Sequence, residues 1–172
     1  MANYATLEEV KEYLNIEDNS QDNLLLNLIY RVTQLFDSYL SRKLSKAEYT
    51  DIFGGNNRNY HMTKQYPVIE VIEAKSDGQA VSVVAFVDNE VVIQERFGSG
   101  SLNCSVKYMA GYDPIPYDIT QCCIELVGVK YKNIANINIQ SKSMGNGETI
   151  TFTTKDLPSY IKVVLNQYKR VI

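Results

Sequence analysis

Tryptophan is absent from the 172 residues, histidine occurs once, and there are four prolines and three cysteines. Each shortage excludes something. The single histidine, His61, lies in a strand pattern with no serine or cysteine in a recognisable nucleophile elbow near it. It reads as an ordinary strand residue rather than a general base. Cys104 is isolated, and Cys122 and Cys123 are adjacent in a helical pattern, where neighbouring side chains point in different directions. Three thiols cannot all pair within one chain and no Cys-x-x-Cys clamp occurs. Reduced thiols in a cytoplasmic setting, filling core, are the expectation, with no metal and no cofactor. Basic residues (17) do not exceed acidic ones (20), and the net charge of −3 argues against a protein that grips nucleic acid over a broad face. The longest apolar stretches, NLLLNLIY and VSVVAFV, fall short of the roughly 20 residues of a membrane span. The opening MANYATLEEV lacks the basic run and apolar stretch of a secretory signal.

Glycine-rich stretches and acidic loops are equally uninformative about ligands. GGNN and GSGS are not followed by the Lys-Ser/Thr pair that opens a phosphate loop, and read as turns between strands. EDNSQDN lacks the central glycine and the closing glutamate of a calcium loop, and reads as an interhelix turn. The first two helical patterns do not suit a DNA-reading pair, because the second is too apolar around its circumference and carries Asp22, not a basic residue, in its first turn.

What is present is an ordinary globular balance, 45% hydrophobic and 22% charged, with 13 tyrosines suited either to interfaces or to a partly wet core. TLEE at Thr6–Glu9 is a capping box, followed by an apolar face of Leu7, Val10 and Leu14. A second helix carries Leu25, Leu28, Ile29, Val32, Leu35, Phe36, Tyr39 and Leu40 at helical spacing, with Arg42 and Lys43 placed to complement its dipole. The period then changes to two. AEYTDIF, NYHM, VIEVIEA, AVSVVAF, VVIQERF and LNCSVKYMA are short strands separated by glycine and Asp turns, which indicates a small antiparallel sheet or barrel. Pro114 and Pro116 end it, Asp118 is placed to cap the next helix, and Ile119, Cys122, Cys123, Leu126 and Val127 form that helix's apolar face. Gly128 within it allows the close approach of another helix, inside the subunit or across an interface, the former being the preferred reading. INIQ and TITF flank an Asn146-Gly147 turn signal. DLPSYIKVVLNQYKRVI closes the chain as a helix capped by Asp156.

The stripe on the second helix is too wide for its short predecessor to cover, and the helix after the prolines is the natural partner. The expected fold is therefore α+β: a small bundle of helices at about 7–15, 21–42, 119–135 and 157–171, an inserted antiparallel β domain, and a short β-hairpin near 137–153. The expected domains are 1–45 plus 114–172, and 46–113. Lys162, Lys169 and Arg170 on the last helix either complement its C-terminus or form a docking patch, and Ser141, Lys142, Ser143 and Asn146 form a polar, mobile loop.

With that organisation in place, TLEEVKEYLNIEDNSQDNLLLNLIYRVTQLFDSYLSRKL resembles the N-terminal helices of the head–tail connector, or adaptor, proteins of tailed bacteriophages and prophages. YPVIEVIEAKSDGQAV, VKYMAGYDPIPYDITQCCIELVGVKY and DLPSYIKVVLNQYKRV are similar to later parts of the same family, in the same order. The resemblance implies a structural part, not an enzyme: a ring, dodecameric in better-known members, assembled on the portal and joining the DNA-filled head to the stopper or tail. Its implied partners are further copies of itself, the portal, and a stopper or tail-completion protein. DNA passes through its channel without sequence-specific binding, and no membrane is involved. The implied place is the virion neck, after assembly in the host cytoplasm. The lysine–arginine group becomes a candidate portal-docking patch and the 141–146 loop a candidate assembly or channel loop. A tail-completion or stopper protein is the near alternative. From other classes, a small enzyme or ligand-binding domain with a cleft between bundle and insert, or a DNA-binding regulator, remain open.

Overall fold

The computed structural model describes residues 3–134, 141–143, 149–151 and 157–169. Two compact units divide the chain: Met1–Ser41 with Pro116–Ile172, and Arg42–Ile115.

The first unit is helical. α1 (Leu7–Leu14) starts at the predicted capping box: the Glu9 amide donates to Thr6 Oγ1 at 3.2 Å, and the Thr6 amide donates to Glu9 Oε2 at 2.8 Å. α2 (Asp22–Leu40) buries Leu25, Leu28, Ile29, Val32, Phe36 and Leu40 along the predicted stripe. It ends two residues earlier than expected, at a left-handed Ser41. Arg42 is consequently not a dipole complement. It belongs to the second unit, where it is buried over the Tyr66 ring and donates to the Tyr66 carbonyl. α3 (Tyr117–Asn133) packs along α2, so Leu28 and Leu126 are both interior. Asp118 does not cap α3. The N-cap position is Pro116; Asp118, inside the first turn, accepts from the Ile119 amide at 2.9 Å and a bifurcated bond from the Tyr168 hydroxyl, 2.9 Å from each carboxylate oxygen. α4 (Ser159–Tyr168) packs on α2 and α3, with Pro158 at its N-cap position. Asp156, expected to cap it, lies outside the described residues. β8 (Ser141–Ser143) and β9 (Thr149–Thr151) form an antiparallel pair, a little later in the chain than INIQ, which is also outside them, as is the Asn146-Gly147 turn.

Gly128 shows why a residue that costs about 1 kcal/mol relative to alanine is present in a helix. A Cβ there would stand 2.9 Å from Cε1 of Tyr13, so α1 is seated on α3 where the side chain is missing. Cys122 and Cys123 are interior, and burial pushes their thiols up to about 11 and about 12.

The second unit is β. β1 (Ala47–Phe53), β7 (Cys104–Ala110), β3 (Val68–Ser76) and β4 (Gln79–Ala80) form one antiparallel sheet in that spatial order. β2 (Tyr60–Met62), β6 (Glu90–Ile93) and β5 (Val83–Val87) form a second, so the strands make two sheets and not a barrel. β7 alternates without a break: Cys104, Val106, Tyr108 and Ala110 point into a core shared with Val68, Ala74, Val91, Ile93 and Phe97. Leu102, expected to join that alternation, precedes the strand and is exposed. β1 pairs with β7 from Ala47↔Ala110 to Phe53↔Cys104. The ladder is extended by the Lys46 amide on the Tyr112 carbonyl at 3.1 Å and the Tyr112 amide on Leu44 at 2.7 Å. Gly111 at φ 111° makes that continuation possible, because a Cβ would meet the Ser45 carbonyl oxygen at 2.6 Å.

The α1–α3 contact is testable by a double-mutant cycle in chemical unfolding. In a Tyr13→Ala background, Gly128→Ala should stabilise by up to about 1 kcal/mol, the helix-propensity gain. With Tyr13 in place that gain should be lost to the displaced ring. Equal effects in both backgrounds would contradict the contact.

Candidate functional site

For a chain without a catalytic motif, the places to inspect are surfaces left uncovered and polar groups drawn inside. Lys162 lies on α4 and Lys169 is its C-cap residue; seven positions, two helical turns, bring their backbone positions to one flank. Lys169 Nζ lies 5.0 Å from the centre of the Tyr39 ring, and Asn166 on the same helix accepts from the Tyr39 hydroxyl at 2.9 Å. Arg170 and Asn146 are outside the described residues; Ser141, Lys142 and Ser143 form β8. In the β unit the terminal strand β5 carries no charge, and Val84 and Val87 are 64% and 68% exposed. Exposed tyrosines occur at Tyr13, Tyr30, Tyr117 and Tyr160.

The drawn-in polar group is one that the sequence reading passed over. Asp51, 3% exposed, accepts from the Lys64 amide at 2.8 Å and lies 3.1 Å from His61 Nε2. The His61 ring stacks on Phe53 at 3.6 Å. Tyr108, hydrogen-bonded to Asp51, also accepts from the Gln65 amide at 3.1 Å. Burial raises the Tyr108 hydroxyl to about 12, assisted by the Asp51 charge. Burial also works against ionisation of Asp51, but the bonds from His61 and Lys64 and their positive charge outweigh it, holding the carboxyl below its usual value. A signal existed: Tyr49, Asp51 and Phe53 share one face of β1 at period two, which places an acid among inward aromatics.

An Asp–His pair is two-thirds of a nucleophilic triad. Here no serine or cysteine side chain joins it among the described residues, and the carboxylate is committed to a turn amide and a tyrosine. The network ties β1, β2, β7 and residues 64–65 together. Two open depressions in the β unit, about 540 Å³ beside Arg58, Tyr60 and Arg96 and about 400 Å³ beside Asp77, Leu102 and Asn103, do not include His61. Among the described residues no three His, Cys, Asp or Glu side chains are placed to hold a metal ion, and no helix is long and apolar enough to cross a membrane.

The depressed carboxyl makes a pH prediction. Its stabilisation is present above the unfolded-state value of about 3.9 and is lost as pH falls through the lower folded value. Asp51→Asn should destabilise the protein at pH 7 by about 1–3 kcal/mol. The gap between variant and wild type, read from unfolding midpoints, should close below about pH 4. A gap constant from pH 7 to pH 3 would contradict this account of Asp51.

Three comparisons bear on identity. Solved structures with the same fold include a chain from the neck of an empty gene transfer agent particle computed with C6 symmetry, with TM-score 0.63 and 11% identity, covering 98% of this chain and 91% of that one. A chain from the neck of the native particle computed with C12 symmetry gives TM-score 0.64 and 10% identity, covering 96% and 88%. One from the native gene transfer agent virion gives 0.63 and 12%, covering 98% and 91%. No curated protein matches. At such identities these likenesses establish the fold. The sequence itself matches the head completion protein family over residues 3–171, nearly its whole length, and the chain belongs to that family.

Proposed function

We propose that the protein is a structural component of the neck of a tailed phage or prophage particle. It assembles as a ring under the portal and joins the DNA-filled head to the stopper or tail. The observation that carries this reading is coverage: a head completion match over residues 3–171, with neck subunits superposing on 96–98% of the chain. A match confined to the β unit would speak only for a common module. A twelve-subunit ring agrees with the C12 symmetry of one similar neck. The helical unit carries the ring, and the lysine flank of α4 offers a docking surface to an acidic protein partner, the portal or a neighbouring copy. The exposed, uncharged β5 and the β8–β9 pair are further contact elements. DNA passes through without sequence-specific binding, which suits a chain with 17 basic and 20 acidic residues. Nothing in the arrangement around His61 favours an enzyme over this structural role.

The test is to mix the purified chain with the portal of the same particle and image the product. The expected result is a collar of density on one portal face, in multiple copies. A bare portal at saturating chain concentration would remove the assignment.

A further inference from the structure

A ring built from identical subunits needs two different surfaces that fit each other, one on each side of the subunit. Resting on the neck reading, we infer that these surfaces are the outer face of α1 and the lysine flank of α4, so that α1 of one copy docks on α4 of the next through opposite charge.

Charge is unevenly divided along the helical unit. Residues 1–41 contain seven acidic and two basic side chains, net −5, while residues 116–172 contain four acidic and seven basic, net +3. In α1 the exposed carboxylates are Glu8, Glu9 and Glu12. Glu9 closes the capping box, and the one lysine of the helix, Lys11, is committed to Asp22 at 2.9 Å. Glu8 and Glu12 have no ion pair among the described residues. They sit four residues apart, where like charges repel. Glu12 is also in the last turn, where the helix dipole disfavours an anion. Local helix physics therefore opposes Glu12, and an external cation would relieve it.

The complementary cations are Lys162 on α4 and Lys169 at its C-cap. The helix contains no acidic residue, and Lys162 and Lys169 have no carboxylate partner among the described residues. On α3, against which α4 packs, Asp118 and Glu125 are held by Tyr168 and by Gln121 at 2.9 Å. The two elements are anchored at different points around α2. The segment leading into α1 reaches α2 at Thr33, to which the Tyr4 amide donates at 3.2 Å, whereas α4 reaches it at Tyr39. Six residues separate those positions, about 120° of helix rotation. Apolar area accompanies both: Tyr13 on α1 is 50% exposed and Val163 on α4 is 63% exposed. A face that is acidic on one side and basic on the other is not self-complementary, so it favours head-to-tail closure over a two-fold dimer.

Charge reversal tests this with the full chain on its portal. Glu8→Lys/Glu12→Lys makes both faces basic, and Lys162→Glu/Lys169→Glu makes both acidic. Each variant alone, confirmed folded by its melting transition, should form at least about tenfold less collar than wild type. An equimolar mixture should restore it, because alternating subunits again meet opposite charge. If a reversal variant fails to fold, Glu8→Gln/Glu12→Gln against Lys162→Gln/Lys169→Gln replaces it, with collar formation expected to lose its salt sensitivity in both. Failure of the mixture to recover overturns the inference. So does a result in which the α4 variant fails in every mixture while the α1 variant assembles normally, which would assign the lysines to the portal. A wild-type chain that gives no collar removes the neck reading itself, a distinct outcome.

Discussion

The pairing of β1 with β7 is the constraint on which the rest of the structure depends. The chain leaves α2 at Ser41, spends Arg42–Ile115 in the β unit, and begins α3 at Tyr117. A detour of that length is thermodynamically tolerable only if its two ends are held side by side, since closing a long loop otherwise costs entropy that the helices would have to recover. The ladder from Ala47↔Ala110 to Phe53↔Cys104, prolonged by Lys46, Tyr112 and Leu44, supplies that closure from within the insertion itself. α2 and α3 can then behave as sequence neighbours, and their wide apolar stripes find each other as directly as in a hairpin of helices.

Much of this was legible in the residues. Elements governed by local physics read well: the Thr6 capping box, the stripe on α2 and the alternation of β7. What failed to read was decided by distant partners. Arg42 looked like a helix-terminal cation, but a left-handed Ser41 ended α2 first and the guanidinium found the Tyr66 ring. Asp118 looked like a cap because acids near a helix start usually are, yet the N-cap is Pro116, and the Asp118 carboxylate, besides the Ile119 amide, binds Tyr168, fifty residues later. The carboxylate serves the first-turn Ile119 amide and this tertiary partner together, and the second of these is set by the fold alone.

The same division applies to function. No side chain announced chemistry, and the one suggestive pair, Asp51 with His61, is a clasp holding a turn against the sheet. The informative signal was organisational: order of elements, spacing of turns, and coverage of nearly all the chain by one family. Structural proteins of assemblies carry their function in surfaces, which are degenerate in sequence because many side chains satisfy the same shape and charge. The Lys162–Lys169 flank could be picked out as a possible surface, but the chain alone does not say what it meets.

The uncharged β5 bears on how the insertion is kept from sticking to other strands. Natural sheets protect their terminal strands with lysines, prolines or cover, because an unprotected one adheres to whatever strand it meets next. Residues 83–87 carry no lysine or proline; what shields them is β3, which runs alongside, with the Val81 amide on the Ala74 carbonyl at 2.9 Å and the Val68 amide on the Asp88 carbonyl at 2.6 Å bracketing the strand. The strand's safety is therefore borrowed from its neighbour: a change that loosens β3 would bare β5 as well, so the order of the insertion and its resistance to sticking are one property.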